Sequence, residues 1–184
     1  MKDSYLPETP VTRAIDKFLN RIGDALSYIW MLLLIVIVIN VALRYVFNEG
    51  RIEFEEFQWH LYSFGFLLGL SYAYQADAHI RVDVLHERMS HRTQAWVELY
   101  GILLFLVPFI ALVLIYSMPF VAASFALGEI SPSPGGLPFR WLIKAMLPVG
   151  FALLALAVLS RLIRVWRFLF FLPEEGETGD ANAS

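Results

Sequence analysis

The stretch ALSYIWMLLLIVIVINVAL, residues 25–43, decides what kind of protein this is. At about 1.5 Å per residue its nineteen residues reach about 28 Å as a helix, close to the roughly 30 Å hydrocarbon core of a bilayer. Only Ser27, Tyr28 and Asn40 interrupt the apolar run. Ile35 to Ile39 are all β-branched, which in water would favour a strand. Inside lipid every backbone N–H and C=O must be satisfied within the segment, and an open-ended run can do that only as a helix.

On its C-terminal side come Arg44-Tyr45-Val46-Phe47-Asn48 and an acidic cluster, Glu49, Glu53, Glu55 and Glu56. A second apolar stretch, about 57–76, combines aromatics (Trp59, Tyr62, Phe64, Phe66, Tyr72, Tyr74) with small residues (Ser63, Gly65, Gly69, Ser71, Ala73). Gly65-Phe-Leu-Leu-Gly69 is a small-xxx-small pattern, which lets one face approach another helix closely. A charged connection from Asp77 to Trp96 follows, whose Ile80, Val84, Leu85 and Met89 allow a short interfacial helix. A third span is expected at about 97–120, with Pro108 and Pro119 kinking or ending it. The Pro/Gly-rich run Ser131-Pro-Ser-Pro-Gly-Gly-Leu-Pro138 cannot be helical. A fourth span, about 142–162, ends among Arg161, Arg164 and Arg167.

On the N-terminal side, residues 1–9 are polar and expected to be flexible until Thr9-Pro10 caps a helix and places proline at its first position. Val11, Ile15, Phe18, Leu19 and Ile22 form one face of that helix, and Arg13, Asp16, Lys17, Asn20 and Arg21 the other. This reads as an amphipathic helix lying on the membrane surface; the alternative is a solvated stem continuous with the first span. The expected fold is thus all-α and integral to the membrane, four transmembrane helices plus an N-terminal interfacial helix. Residues 10–168 form one membrane domain, and 169–184 an acidic tail.

Composition agrees. The 184 residues are 58% hydrophobic and 17% charged with a mean hydropathy of +0.60, and the charges sit between the apolar blocks. The net charge of -3 comes partly from Glu174, Glu175, Glu177 and Asp180, and no basic run suggests nucleic acid. With no cysteine there are no thiolate nucleophiles, thiolate metal sites or disulfides. The first span lacks a signal-peptide pattern and is expected to be retained. Ten of the fourteen Lys and Arg fall in the N-terminal segment, the middle loop and the C-terminal segment. By the positive-inside rule both termini and the middle loop are cytoplasmic, which requires an even number of spans.

Few groups invite chemistry. His79, His86 and His91 share a loop with Asp77, Asp83 and Glu87, but spacings of seven and five do not give the i, i+4 pair that holds a metal on one helical face. Glu53, Glu55 and Glu56 precede a span at the water surface, where interaction or anchoring suits them better than acid/base work. Arg44, His60, Glu98 and Lys144 lie near span ends, where reaching the headgroups is inexpensive. No mid-span carboxylate and no Gly-rich broken helix marks a carrier or membrane enzyme acting alone, so no catalytic, cofactor or metal residues are assigned.

The ordered set Arg44-Tyr-Val-Phe-Asn48, Glu55-Glu56, Gly69 and His79-Ile-Arg-Val-Asp83 resembles the small membrane subunit (small permease, DctQ family) of tripartite ATP-independent periplasmic (TRAP) transporters. Glu129-Ile-Ser131, Pro134-Gly-Gly-Leu-Pro138 and Arg140-Trp-Leu-Ile-Lys144 resemble a branch associated with 2-oxo acids and other organic acids. The resemblance implies a bacterial inner-membrane scaffold bracing a large permease subunit that carries substrate and sodium, with a periplasmic binding protein delivering the solute. In that frame Arg44, Tyr45, Trp59, Gly65 and Gly69 are candidates for the large-subunit interface. Arg51, Glu53 and Glu129 are candidates for binding-protein contact, and His79, Arg81 and Asp83 form a cytoplasmic loop motif. Membrane lipids are further partners, and no cofactor is expected in this chain. A membrane-anchored adaptor or assembly factor outside any transporter is the competing reading.

Overall fold

In the computed structural model, residues 6–78 and 89–171 are described. They form helices: α1 (Pro10–Val46), α2 (Ile52–Gln75), α3 (His91–Gly101), a π-helical stretch (Ile102–Leu106), α4 (Val107–Ala126) and α5 (Arg140–Phe171). The all-α membrane class is therefore observed. Three rods are long and apolar enough to cross a bilayer: α1, the continuous run His91–Ala126, and α5. α2 is 24 residues long, but Gln58, His60, Gln75 and its glycines and tyrosines make it less apolar than the other three.

The amphipathic segment is not a separate surface helix. It is the lower part of α1, which runs unbroken for 37 residues. Thr9 starts it as expected: its Oγ accepts from the Thr12 N–H at 3.0 Å, and the Thr12 hydroxyl oxygen accepts from the Thr9 N–H at 2.9 Å. No proline interrupts residues 20–25, and Leu19 is fully buried, so helix and packing continue together into the span. Leu6, in the segment expected to be free, packs instead with Ala95, Leu99, Val165 and Leu169.

The third span also departs from its expected bounds. It continues through Pro108 and Pro119 to Ala126. Proline at 108 has no N–H and would crowd the carbonyl four residues back. The π-helical stretch immediately before it widens the turn, with the Val107 N–H bonded to the Ile102 carbonyl five residues earlier. α2 begins at Ile52, ahead of the apolar stretch, with Glu53 and Glu55 in its first turn where the helix dipole favours them.

α5 is the hub, packing on α1, α2, α3 and α4, while α1 and α2 form a second tight pair. Small residues set the approach distances. A Cβ built on Gly150 of α5 would lie 2.6 Å from the Leu67 carbonyl oxygen of α2. One on Gly23 of α1 would lie 2.3 Å from the Tyr72 ring, and one on Gly65 of α2 3.0 Å from the Trp30 ring. Ile102, Ile110, Phe151, Leu154 and Val158 form the main core between the third rod and α5.

Candidate functional site

Two polar layers cap the bundle, one at each end. At the first, the connection between α4 and α5 folds back onto the start of α2. The Pro/Gly run makes a tight turn, with Gly136 N donating to the Ser133 carbonyl at 2.9 Å and Gly135 at φ +78°, a conformation glycine reaches without strain. Glu56, only 7% exposed, accepts from the Leu137 N–H at 2.6 Å and from the Ser131 hydroxyl. One carboxylate of α2 thus holds both sides of a loop about 80 residues away. The hydrogen bond from Ser131 is the largest cause holding its carboxyl below the usual carboxylate range, with Leu137, His60 and Arg140 adding to it against the opposing effect of burial.

Next to this latch, Glu129 accepts from the Lys144 ammonium and, at 2.6 Å, from the Ser124 hydroxyl, with Arg140 Nε 3.5 Å away. Its carboxyl is likewise lowered, chiefly by Lys144. Lys144 also lies 4.3 Å from the Phe120 ring centroid. On the rim of the same end, Arg44 pairs with Glu55, joining α1 to α2, and Arg51 lies 3.3 Å from Glu49. Glu53 is exposed beside Gly135.

At the opposite end, Arg161 makes two hydrogen bonds to Glu98, at 2.5 and 3.1 Å, with both side chains largely buried. Arg164 pairs with Asp16, whose other oxygen accepts from Ser160 at 2.9 Å. These pairs tie α5 to α3 and to the lower part of α1. Tyr74, Gln75 and Asp77 of the α2 end line the same polar region.

The sequence candidates are distributed over these layers unevenly. Tyr45 and Trp59 are 76% and 66% exposed, and nothing approaches a Cβ built on Gly69 within 4 Å, so this part of α1 and α2 faces outward. Gly65 is buried against Trp30, so the close approach it permits is used within the chain. Arg44, Arg51 and Glu129 are engaged in ion pairs, and Arg44, Arg51 and Glu53 all reach solvent. His79, Arg81 and Asp83 lie outside the described residues. Asp16, Glu56, Ser131, Arg161 and Arg164 come together with their partners only in the fold. Their pairings join positions 63 to 148 residues apart, for which sequence offers no local signal.

The family model for tripartite ATP-independent periplasmic transporters, DctQ component, matches residues 33–168. The chain belongs to the DctQ family. The matched region contains the Glu56 latch, the Glu129–Lys144 pair and the Glu98–Arg161 pair, while Asp16 precedes it. No curated protein and no solved structure matched the chain. As a DctQ protein it is a membrane component of a TRAP transporter, the small permease type.

Proposed function

We propose that this DctQ protein is the small, non-catalytic scaffold of a TRAP-type secondary transporter. It braces a large sodium-coupled permease subunit for uptake of an organic acid, with a 2-oxo acid the favoured class, delivered by a periplasmic binding protein. In this reading α2 is the fourth span, both termini are cytoplasmic, and the Glu56 and Glu129 layer faces the periplasm of a bacterial inner membrane.

The observation that carries the reading is how the charges are used. Glu98, Arg161, Asp16 and Arg164 lock helices at one end, and Glu56, Glu129 and Lys144 lock a loop at the other. Such locks resist relative motion of helices, which suits a wall against which a neighbour moves. The outward face of Tyr45, Trp59 and Gly69 is the proposed contact with the large subunit, and Arg51 and Glu53 beside the latched loop are the proposed contact with the binding protein.

The test is co-expression with a large TRAP permease subunit, affinity purification through this chain, and reconstitution with the binding protein under a sodium gradient. The expected result is a stoichiometric complex that takes up solute, with no uptake by this chain alone. Uptake by the isolated chain would overturn the scaffold role. Full uptake by the large subunit without it, or failure of any large subunit to co-purify, would favour an adaptor instead.

A further inference from the structure

Between α1, the C-terminal end of α2 and α5 lies a cavity of about 20 Å³ lined by Asp16, Gln75, Asp77, Ser160, Arg161 and Arg164, among others. Two of its residues carry polar atoms shielded from bulk solvent and lacking any hydrogen-bond partner among the described residues: Gln75 Oε1, an acceptor, and Arg164 Nε, a donor. We propose that this cavity holds one ordered water molecule that donates to Gln75 Oε1 and accepts from the Arg164 Nε–H, joining α2 to α5.

Three features select water over other ligands. The volume exceeds the roughly 10–15 Å³ that one water requires and is too small for a headgroup or an organic acid. The lining carries two carboxylates, Asp16 and Asp77, and two guanidiniums, Arg161 and Arg164, so their charges cancel and neither a cation nor an anion is favoured. The unmet groups are one acceptor and one donor, and water serves both at once. Arg164 already gives its terminal nitrogen to Asp16, which leaves Nε for this second bond. The water would extend the Asp16–Arg164 clamp to α2.

Gln75→Met in the full-length chain, purified in detergent, decides the matter by the sign of its effect. If the two groups are simply unsatisfied, removing the buried amide oxygen leaves the melting temperature unchanged or raises it, and the inference fails. If a water bridges them, the substitution strands Arg164 Nε, and the melting temperature should drop by about 2–4 °C. A map of the wild-type chain in lipid nanodiscs that resolves ordered water provides the second measurement. A peak within hydrogen-bond distance of both atoms supports the inference. A direct Gln75–Arg164 contact, no peak, or a peak held only by the carboxylates overturns it. Both readouts belong to the chain itself, so they stand or fall separately from the transporter reading.

Discussion

Replacing Glu56 by glutamine tests the latch directly. In the wild type two donors, the Leu137 N–H and the Ser131 hydroxyl, converge on one buried carboxylate. Glutamine keeps one acceptor oxygen for the Leu137 N–H and turns the other position into a donor, so the Ser131 hydroxyl must turn to accept and both bonds lose their charge assistance. A hydrogen bond to a charged group contributes about 1.5–3 kcal/mol. Loss of about 2 kcal/mol from the local opening energy of the loop should speed amide exchange at Leu137 by about thirtyfold. Hydrogen exchange read by mass spectrometry on the chain in nanodiscs, over a peptide containing residues 131–138, measures this. The pH dependence has a definite sign. The folded-state value lies below the ordinary 4.5, so the latch contributes fully above that value and is lost as pH falls through the lowered one. After correction for intrinsic exchange, wild-type protection should hold at neutral pH and fall on acidification below about 4.5, and Glu56→Gln should flatten most of that response. A residual slope belongs to Glu129, which is lowered by Lys144. Equal Leu137 protection in wild type and Glu56→Gln at neutral pH would refute the latch.

Four further outcomes are expected. Gly150→Ala should cost about 1–3 kcal/mol, because its new Cβ meets the Leu67 backbone; thermal melting measures this. Gly69→Ala, which meets nothing within 4 Å, should leave that melt unchanged yet reduce recovery of the large subunit in co-purification. Arg161→Met should destabilise the chain by up to about 3–5 kcal/mol, since it removes the guanidinium that pairs with the largely buried Glu98, and adding Glu98→Gln should restore most of the loss in a double-mutant cycle. Charge reversal at Arg51 and Glu53 together should raise the concentration of binding protein needed for half-maximal uptake while leaving assembly with the large subunit intact.

Much of the architecture is written in local chemistry. The run 25–43, the Thr9-Pro10 cap and the Pro/Gly turn each act through neighbours a few residues away, and each appears where the sequence places it. The surface-helix reading failed because an amphipathic stripe reports only that one face is covered. Leu19 and Asp16 are covered by protein, including α5, and the stripe could not distinguish that from a headgroup layer. Pro108 announced a distortion, but not that a wider turn would absorb it and let the rod continue. The polar layers were the least legible. Glu56 and Glu129 read as surface carboxylates because the serine, lysine and backbone groups that enclose them come from distant parts of the chain.

The π-helical stretch has a bearing on helix phase. Along the third rod the buried residues Ala95 and Ile102 are seven apart, as are Ile110, Ser117 and Ser124, whereas Ile102 and Ile110 are eight apart. A strict seven-residue repeat drifts about 20° per heptad around a straight α-helix, and the extra residue at 102–106 acts as a skip that resets this drift. The two halves of the rod therefore keep the same seam with independent heptad registers. Deleting one residue within 102–106 would leave Ile102 and Ile110 seven apart on a regular α-helix, so Pro119 and the Ser124 contact to Glu129 should stay in phase while the wide turn that accommodates Pro108 is lost.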